Sequence, residues 1–178
     1  LVDKTNEAWG DIDVLVCNAA TNPVYGPTSE PTDDAWDKIM DTNVKGTFWL
    51  TNMVLPQMAE KGSGSVVLLS SIAGIRGNTT IGTYGVSKAA EAALARNLAV
   101  EWGPKGIRVN SIAPGVMGTP LLTAMPQQVQ DALGANVPFP ARLGSPEEFA
   151  HLAQHICQNS YINGETIRLD GALRMQPK

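Results

Sequence analysis

Tyr84 and Lys88 stand four residues apart in Tyr84-Gly85-Val86-Ser87-Lys88, within a stretch from about Gly82 to Trp102 that reads as a helix. Residues i and i+4 of a helix are neighbours on one face, so a phenol meets an ammonium there. A free tyrosine titrates near pKa ~10 and is a poor base at neutral pH, whereas a nearby cation favours the phenolate and lowers that value. The pair suits proton transfer. Taken alone, it more often marks a solvated helix face, because this spacing recurs by chance in many helices.

Its neighbours add weight. Ser71 ends a predicted buried strand, at the edge where an open α/β sheet has its crevice, and its hydroxyl is placed to hold a substrate oxygen. Ser70 and Ser71 also read as a plain strand terminator. Asn43 lies in Asp41-Thr42-Asn43-Val44-Lys45-Gly46, a polar interruption of a helix expected to bury Trp36, Ile39 and Met40. Asparagine lowers helix propensity, so its place there asks for a reason. Asn18-Ala19-Ala20 follows another apolar strand, and Ile107 to Ala113 runs into a Pro114-Gly115 break with Thr119 just beyond.

The elements that must position these residues alternate along the chain. Leu1 to Trp9 has a helical pattern stopped by Gly10, and Ile12 to Cys17 is an apolar run suited to a parallel strand buried on both faces. Thr32 is an N-cap, with Asp33 and Asp34 in the first turn of a helix running toward Glu60. A strand over Ser65 to Ser70 follows, then the helix bearing Tyr84, a strand from Ile107 to Ile112, and a helix entered through Ser145-Pro146-Glu147-Glu148. That tetrapeptide reads as a capping box with proline at N1. A last strand spans Thr166 to Asp170. Such alternation predicts a doubly wound parallel α/β sheet in a single domain over residues 1–178. Pro114 to Pro140, rich in proline and glycine, reads as an extended excursion covering a ligand.

Bulk properties remove other classes. With 178 residues, 43% hydrophobic, the chain builds one core. A net charge of -4 with scattered Lys and Arg argues against nucleic acid. No apolar run reaches the about 18 residues of a membrane span. Cys17 and Cys157 do not form a disulfide framework, which points to a reducing compartment, the cytoplasm or a mitochondrial matrix. His151 and His155 share a helix face, but no third ligand accompanies them, and no metal site is expected. Four tryptophans and the stretch Met117 to Met125 suit an acyl pocket as well as ordinary core filling.

Taken together, the chain resembles the short-chain dehydrogenase/reductase family from its first residue to its last. Asn18-Ala19-Ala20 matches the family's NNAG element. Asn43, Ser71, Tyr84 and Lys88 match its catalytic tetrad, and Pro114-Gly115 with Thr119 matches its nicotinamide-side loop. Cys17 in place of the first Asn and Ala20 in place of the Gly are mild departures. The resemblance implies a Rossmann-like fold, NAD or NADP as cofactor, a small-molecule substrate and a homo-oligomer, a tetramer or dimer. It implies that Tyr84 exchanges the proton of the reacting oxygen and that Ser71 hydrogen-bonds that oxygen. Lys88 then lowers the Tyr84 pKa and holds the nicotinamide ribose, while Asn43 supports a water leading from Lys88 to solvent. Asn18, Ala19, Pro114, Gly115 and Thr119 complete the cofactor side.

No Gly-rich pyrophosphate turn precedes the first strand, so the resemblance implies strands 4-5-6-7 of the family's sheet and a longer parent enzyme. Up to Gly115, SSIAGIRGNTTIGTYGVSKAA and LAVEWGPKGIRVNSIAPG are similar to carbonyl-reductase-like members. From GTPLLTAMP through VPFPARLGSPEEFAHLAQHICQ to INGETIRLDGALRMQP the similarity is to type-2 3-hydroxyacyl-CoA dehydrogenases. The expected reaction is interconversion of a secondary alcohol and a ketone, on a 3-hydroxyacyl-CoA or similar hydroxy substrate. The rivals are an NADP-dependent carbonyl reductase and an inactive chain that serves only in oligomerisation.

Overall fold

Four parallel strands form one sheet in the order β1-β2-β3-β4 in the computed structural model, which describes residues 1–173 and, among them, every side chain but that of Leu121. Residues 174–178, which end the segment similar to the hydroxyacyl-CoA dehydrogenases, lie outside the described residues. In chain order the elements are α1 (Val2–Trp9), β1 (Val14–Cys17), α2 (Asp33–Met40), a π-helical turn (Asp41–Lys45), α3 (Gly46–Lys61), β2 (Gly64–Leu69), a 3₁₀ turn (Ile72–Gly74), α4 (Gly82–Trp102), a second 3₁₀ turn (Gly103–Lys105), β3 (Ile107–Pro114), α5 (Pro120–Thr123), α6 (Gln127–Ala135), α7 (Pro146–Gln158) and β4 (Thr166–Leu169).

Alternation along the strands sorts the core into two layers. Val66 and Leu68 of β2 and Val109 of β3 pack with Val54, Leu55 and Met58 of α3 and with Ala95 and Leu98 of α4. Val67 and Ile112 point the other way, onto Ile156, Phe149 and Leu152 of α7. Each fully buried aliphatic or Met side chain contributes about 1.5–3 kcal/mol, so the sheet is held from both faces. Register brings Cys17 beside Leu68, Leu69 beside Ile112 and Pro114 beside Leu169, which aligns the carboxyl ends of the strands along one edge.

The caps form as the residue types require. Thr32 Oγ1 accepts from the Ala35 amide at 3.3 Å. Ser145 and Glu148 form the reciprocal capping box with Pro146 in the first turn of α7. Arg142 grips the same Glu148 through both carboxylate oxygens, at 2.9 and 2.8 Å.

Four expectations need correction. β1 is shorter than expected and not buried on both faces: Val14 and Val16 are 46% and 44% exposed, because among the described residues no helix covers their side. The Pro114 to Pro140 excursion carries two helices, α5 and α6, whose starts at Pro120 and after Pro126 suit proline's fixed φ. The helix from Thr32 toward Glu60 is divided by the π turn at Asn43. Trp36 is 37% exposed rather than core, although Ile39 is buried.

Candidate functional site

Tyr84 and Lys88 sit in the first two turns of α4, directly behind the carboxyl end of β2. The Lys88 side chain is completely buried, with Nζ 5.5 Å from the centroid of the Tyr84 ring. That ammonium donates to the Leu69 carbonyl and to Glu91 Oε2, each at 2.6 Å. Burial pushes the Tyr84 phenol up to about 12; the Glu91 carboxylate and Tyr25 push the same way, and the Ser71 hydroxyl opposes them. The net direction at Tyr84 is thus upward, against the lowering expected from Lys88 alone. The Glu91 carboxylate that adds to this upward push is bonded to the Lys88 ammonium.

Ser71 is held by its own turn. Its Oγ accepts from the Ala73 amide at 3.1 Å, capping the 3₁₀ turn Ile72–Gly74. That turn lies against α4 without side chains between them. A Cβ on Gly74 would come within 2.6 Å of the Ala89 nitrogen, and one on Gly85 within 2.8 Å of the Ala73 oxygen. Ser70 adds a strut, donating from Oγ to the Lys88 carbonyl at 2.7 Å. The hydroxyl of Ser71 is thereby pressed toward the phenol of Tyr84.

Asn43 occupies the centre of the π turn, where the Gly46 amide reaches the Asp41 carbonyl five residues back. Its side chain is fully buried and fully used. Oδ1 accepts from the Thr21 amide at 2.7 Å, and Nδ2 donates to the Thr21 carbonyl at 3.0 Å and to Ser87 Oγ at 2.9 Å. The Asn43 carbonyl accepts from Thr47 Oγ1 at 3.0 Å. Asn43 thus fastens the loop after β1 to α4, a reason for an asparagine in a helix that propensity alone does not supply.

Of the four residues, Tyr84 opens onto a cavity of about 690 Å³ at the carboxyl edge of the sheet. Tyr84, Asn18, Pro114, Gly115 and Thr119 line it. Ala19 is exposed beside it without forming its wall, and Asn43, Ser71 and Lys88 stand behind the lining. Met117, Leu122, Met125 and Phe149 form an apolar side. No tryptophan lines the cavity: Trp9 and Trp49 are exposed, and Trp102 packs on the core. Sequence reasoning passed over three residues here. Tyr25 lines the cavity, Asn22 lines it with a buried Oδ1 that has no partner, and Glu91 holds Lys88. Glu91 alone left a trace in the sequence, as a charge three residues after Lys88 in an alanine-rich helix.

Among the described residues no cluster of three or more His, Cys, Asp or Glu is placed to hold a metal, and no helix is long and apolar enough to cross a membrane. Burial, reinforced by Glu91, pushes the Cys17 thiol up to about 12, so it stays protonated.

The family profile described as enoyl-(acyl carrier protein) reductase matches residues 1–173. A rabbit (Oryctolagus cuniculus) relative, dehydrogenase/reductase SDR family member 4, is 41% identical over 96% of this chain and 67% of its own length. The chain belongs to the short-chain dehydrogenase/reductase family. Human 3-hydroxyacyl-CoA dehydrogenase type-2 is also 41% identical, over 92% of this chain and 64% of its own. The chain thus spans about two thirds of the length of these relatives, and neither similarity is confined to one half of it. Among solved structures, that of ElxO with NADP bound superposes with a TM-score of 0.91 at 29% identity, covering 97% of this chain and 71% of that one.

Proposed function

We propose that the chain carries the catalytic part of an NAD- or NADP-dependent oxidoreductase that interconverts a secondary alcohol and a ketone, with Tyr84 as its acid/base. The observation that carries this reading is that the Tyr84 phenol, which lines the cavity, is backed by the Ser71 hydroxyl and the buried Lys88 ammonium. The cavity suits the nicotinamide end of a dinucleotide. Asn22 leaves a buried acceptor oxygen unpartnered there, and Asn18, Thr119 and the Pro114-Gly115 backbone supply further polar groups. Such a cofactor, when bound, supplies hydride exchange.

The chain's own residues handle the proton. With its pKa held well above neutrality, Tyr84 is a protonated phenol, the form that donates to a ketone oxygen. Alcohol oxidation needs the phenolate instead, so its rate rises with pH. Ser71 steadies the reacting oxygen, and Asn43 keeps the Thr21 loop and α4 in fixed relation. The segment from 114 to 140 covers the substrate. Its apolar contribution, Met117, Leu122 and Met125, suits an acyl chain, which favours a 3-hydroxyacyl-CoA or similar hydroxy substrate. An NADP-dependent carbonyl reductase is the second reading, supported by the equal similarity to the SDR family member 4 enzymes.

The test is turnover of the full-length protein with acetoacetyl-CoA and with a small unactivated ketone, each with NADH and NADPH. Tyr84→Phe keeps the ring and removes the proton. It should lower turnover by orders of magnitude while cofactor binding persists. Near wild-type turnover by that variant would sink the assignment, and reduction of the ketone alone would select the second reading.

A further inference from the structure

Glu91 has no part in the proton chemistry described above, yet it is as buried as Lys88 and touches it directly. Its Oε2 lies 2.6 Å from Lys88 Nζ, and both side chains are wholly shielded from solvent. Its other oxygen, Oε1, is 3.3 Å from Thr47 Oγ1, the hydroxyl that bonds the Asn43 carbonyl. One buried carboxyl therefore touches the lysine directly and reaches the π turn through Thr47.

A stabilising role explains this poorly. Two charges removed from water lose hydration that their mutual attraction often fails to restore, and apolar residues of similar volume serve stability as well or better. Position 91 lies among alanines on the buried face of α4, where an apolar side chain is the ordinary occupant. A second expectation of such a pair is electrostatic. A carboxylate hydrogen-bonded to an ammonium cancels much of the field that the ammonium projects onto a third group. Tyr84 is that third group, one turn away on the same helix.

We propose that Glu91 is a positioning residue for Lys88 that also governs how strongly the Lys88 ammonium acidifies Tyr84. The ionised carboxylate draws Nζ toward itself and the Leu69 carbonyl and opposes its charge, while the protonated carboxyl leaves that charge free to favour the phenolate. The groups that face Glu91 fit this reading. Lys88 and Tyr84 lie on its own helix, the protonated Cys17 thiol is on β1, and the uncharged Thr47 is on α3. Lys88 is the sole cation among them. Burial raises the Glu91 carboxyl to about 7, with Lys88 and Thr47 opposing, so its charge changes within the working range of an enzyme.

The inference rests on Tyr84 being the acid/base, and its test reads the phenol rather than turnover. Tyrosinate absorbance is titrated in the full-length protein, in wild type and in Glu91→Gln, with Tyr84→Phe versions subtracted to isolate Tyr84. Glutamine keeps the volume and an acceptor for Nζ but carries no charge. The acidity constant of Tyr84 should rise about tenfold or more, because the ammonium is no longer opposed. The acid limb of the oxidation pH profile should move down by the same amount. An unchanged or weakened Tyr84 acidity in a folded Glu91→Gln protein overturns the proposal, whatever its activity. Should glutamine fail to fold, Glu91→Met removes the same charge and is read by the same outcomes. Retained activity in Tyr84→Phe, by contrast, would refute the assignment of the acid/base and leave the Glu91 titration readable.

Discussion

Lys88 illustrates how much of the site a sequence can show at the level of single residues. Its partnership with Tyr84 follows from a spacing of four on a helix, and the structure places its ammonium 5.5 Å from the centre of the Tyr84 ring, which lines the cavity. What no local rule supplies is the Leu69 carbonyl on its ammonium and the complete burial of the Lys88–Glu91 pair, since these depend on how α4 packs against its neighbours. The direction of the Tyr84 pKa was missed for that reason. A spacing reveals a neighbour, whereas desolvation is a property of the whole surround. Lys88→Met is expected to leave Glu91 buried without its cation, at a cost of about 3–5 kcal/mol when that carboxyl is ionised. The sign of the pH dependence follows. The folded pKa of Glu91, already above its unfolded value, rises further in the variant, so the native state holds a proton that the unfolded state has released. Stability should therefore fall as pH rises from about 5 through neutrality, more steeply than in wild type. Thermal unfolding of both proteins at pH 5, 6, 7 and 8 measures this, and parallel curves would count against it.

Elements were read well where a cap or a period marks them and poorly where packing decides. The Thr32 and Ser145 caps, the Tyr84 helix and the two central strands all stand close to their expected bounds. The π turn was visible only as an asparagine out of place, because one extra residue in a turn alters no propensity. Its fit to the packing is plain: Ile39, Asn43, Thr47 and Thr51 are buried at strict intervals of four, which a regular 3.6-residue helix would carry off the buried line. The 3₁₀ turn after Ser71 depends on glycine instead. Gly74→Ala would drive a methyl into the Ala89 nitrogen, backbone that cannot yield, so the turn must lift from α4. We expect a loss of about 1–3 kcal/mol in stability. A fall in kcat larger than any change in cofactor affinity should accompany it, as Ser71 leaves Tyr84. Equal kcat in wild type and variant would show that the contact does not set the geometry.

Exposed apolar side chains gather on α3 and on β1. On α3, Phe48, Trp49 and Met53 are each about half exposed, with Trp49 and Met53 one turn apart on one stripe. Such a patch fits the homo-oligomer implied by the family resemblance. Trp49→Glu in the full-length protein is expected to reduce the mass seen by light scattering, and an unchanged mass would place the interface elsewhere. Val14 and Val16 form the other surface, on β1, whose outer edge pairs with no strand among the described residues. Residues 1–178 expressed alone should therefore self-associate, and Val16→Lys should slow that, as followed by turbidity. The sheet itself has a further consequence. Because every strand pairs with the one next in sequence, the structure can grow by accretion as the chain leaves the ribosome, each addition closing the shortest loop available. Asn43, Ser71, Tyr84 and Lys88 all belong to the first 102 residues, whereas the cavity's apolar wall comes from Met117 onward. The proton-handling groups would thus be assembled first and roofed afterwards, so a nascent chain holds an open site before it holds a selective one.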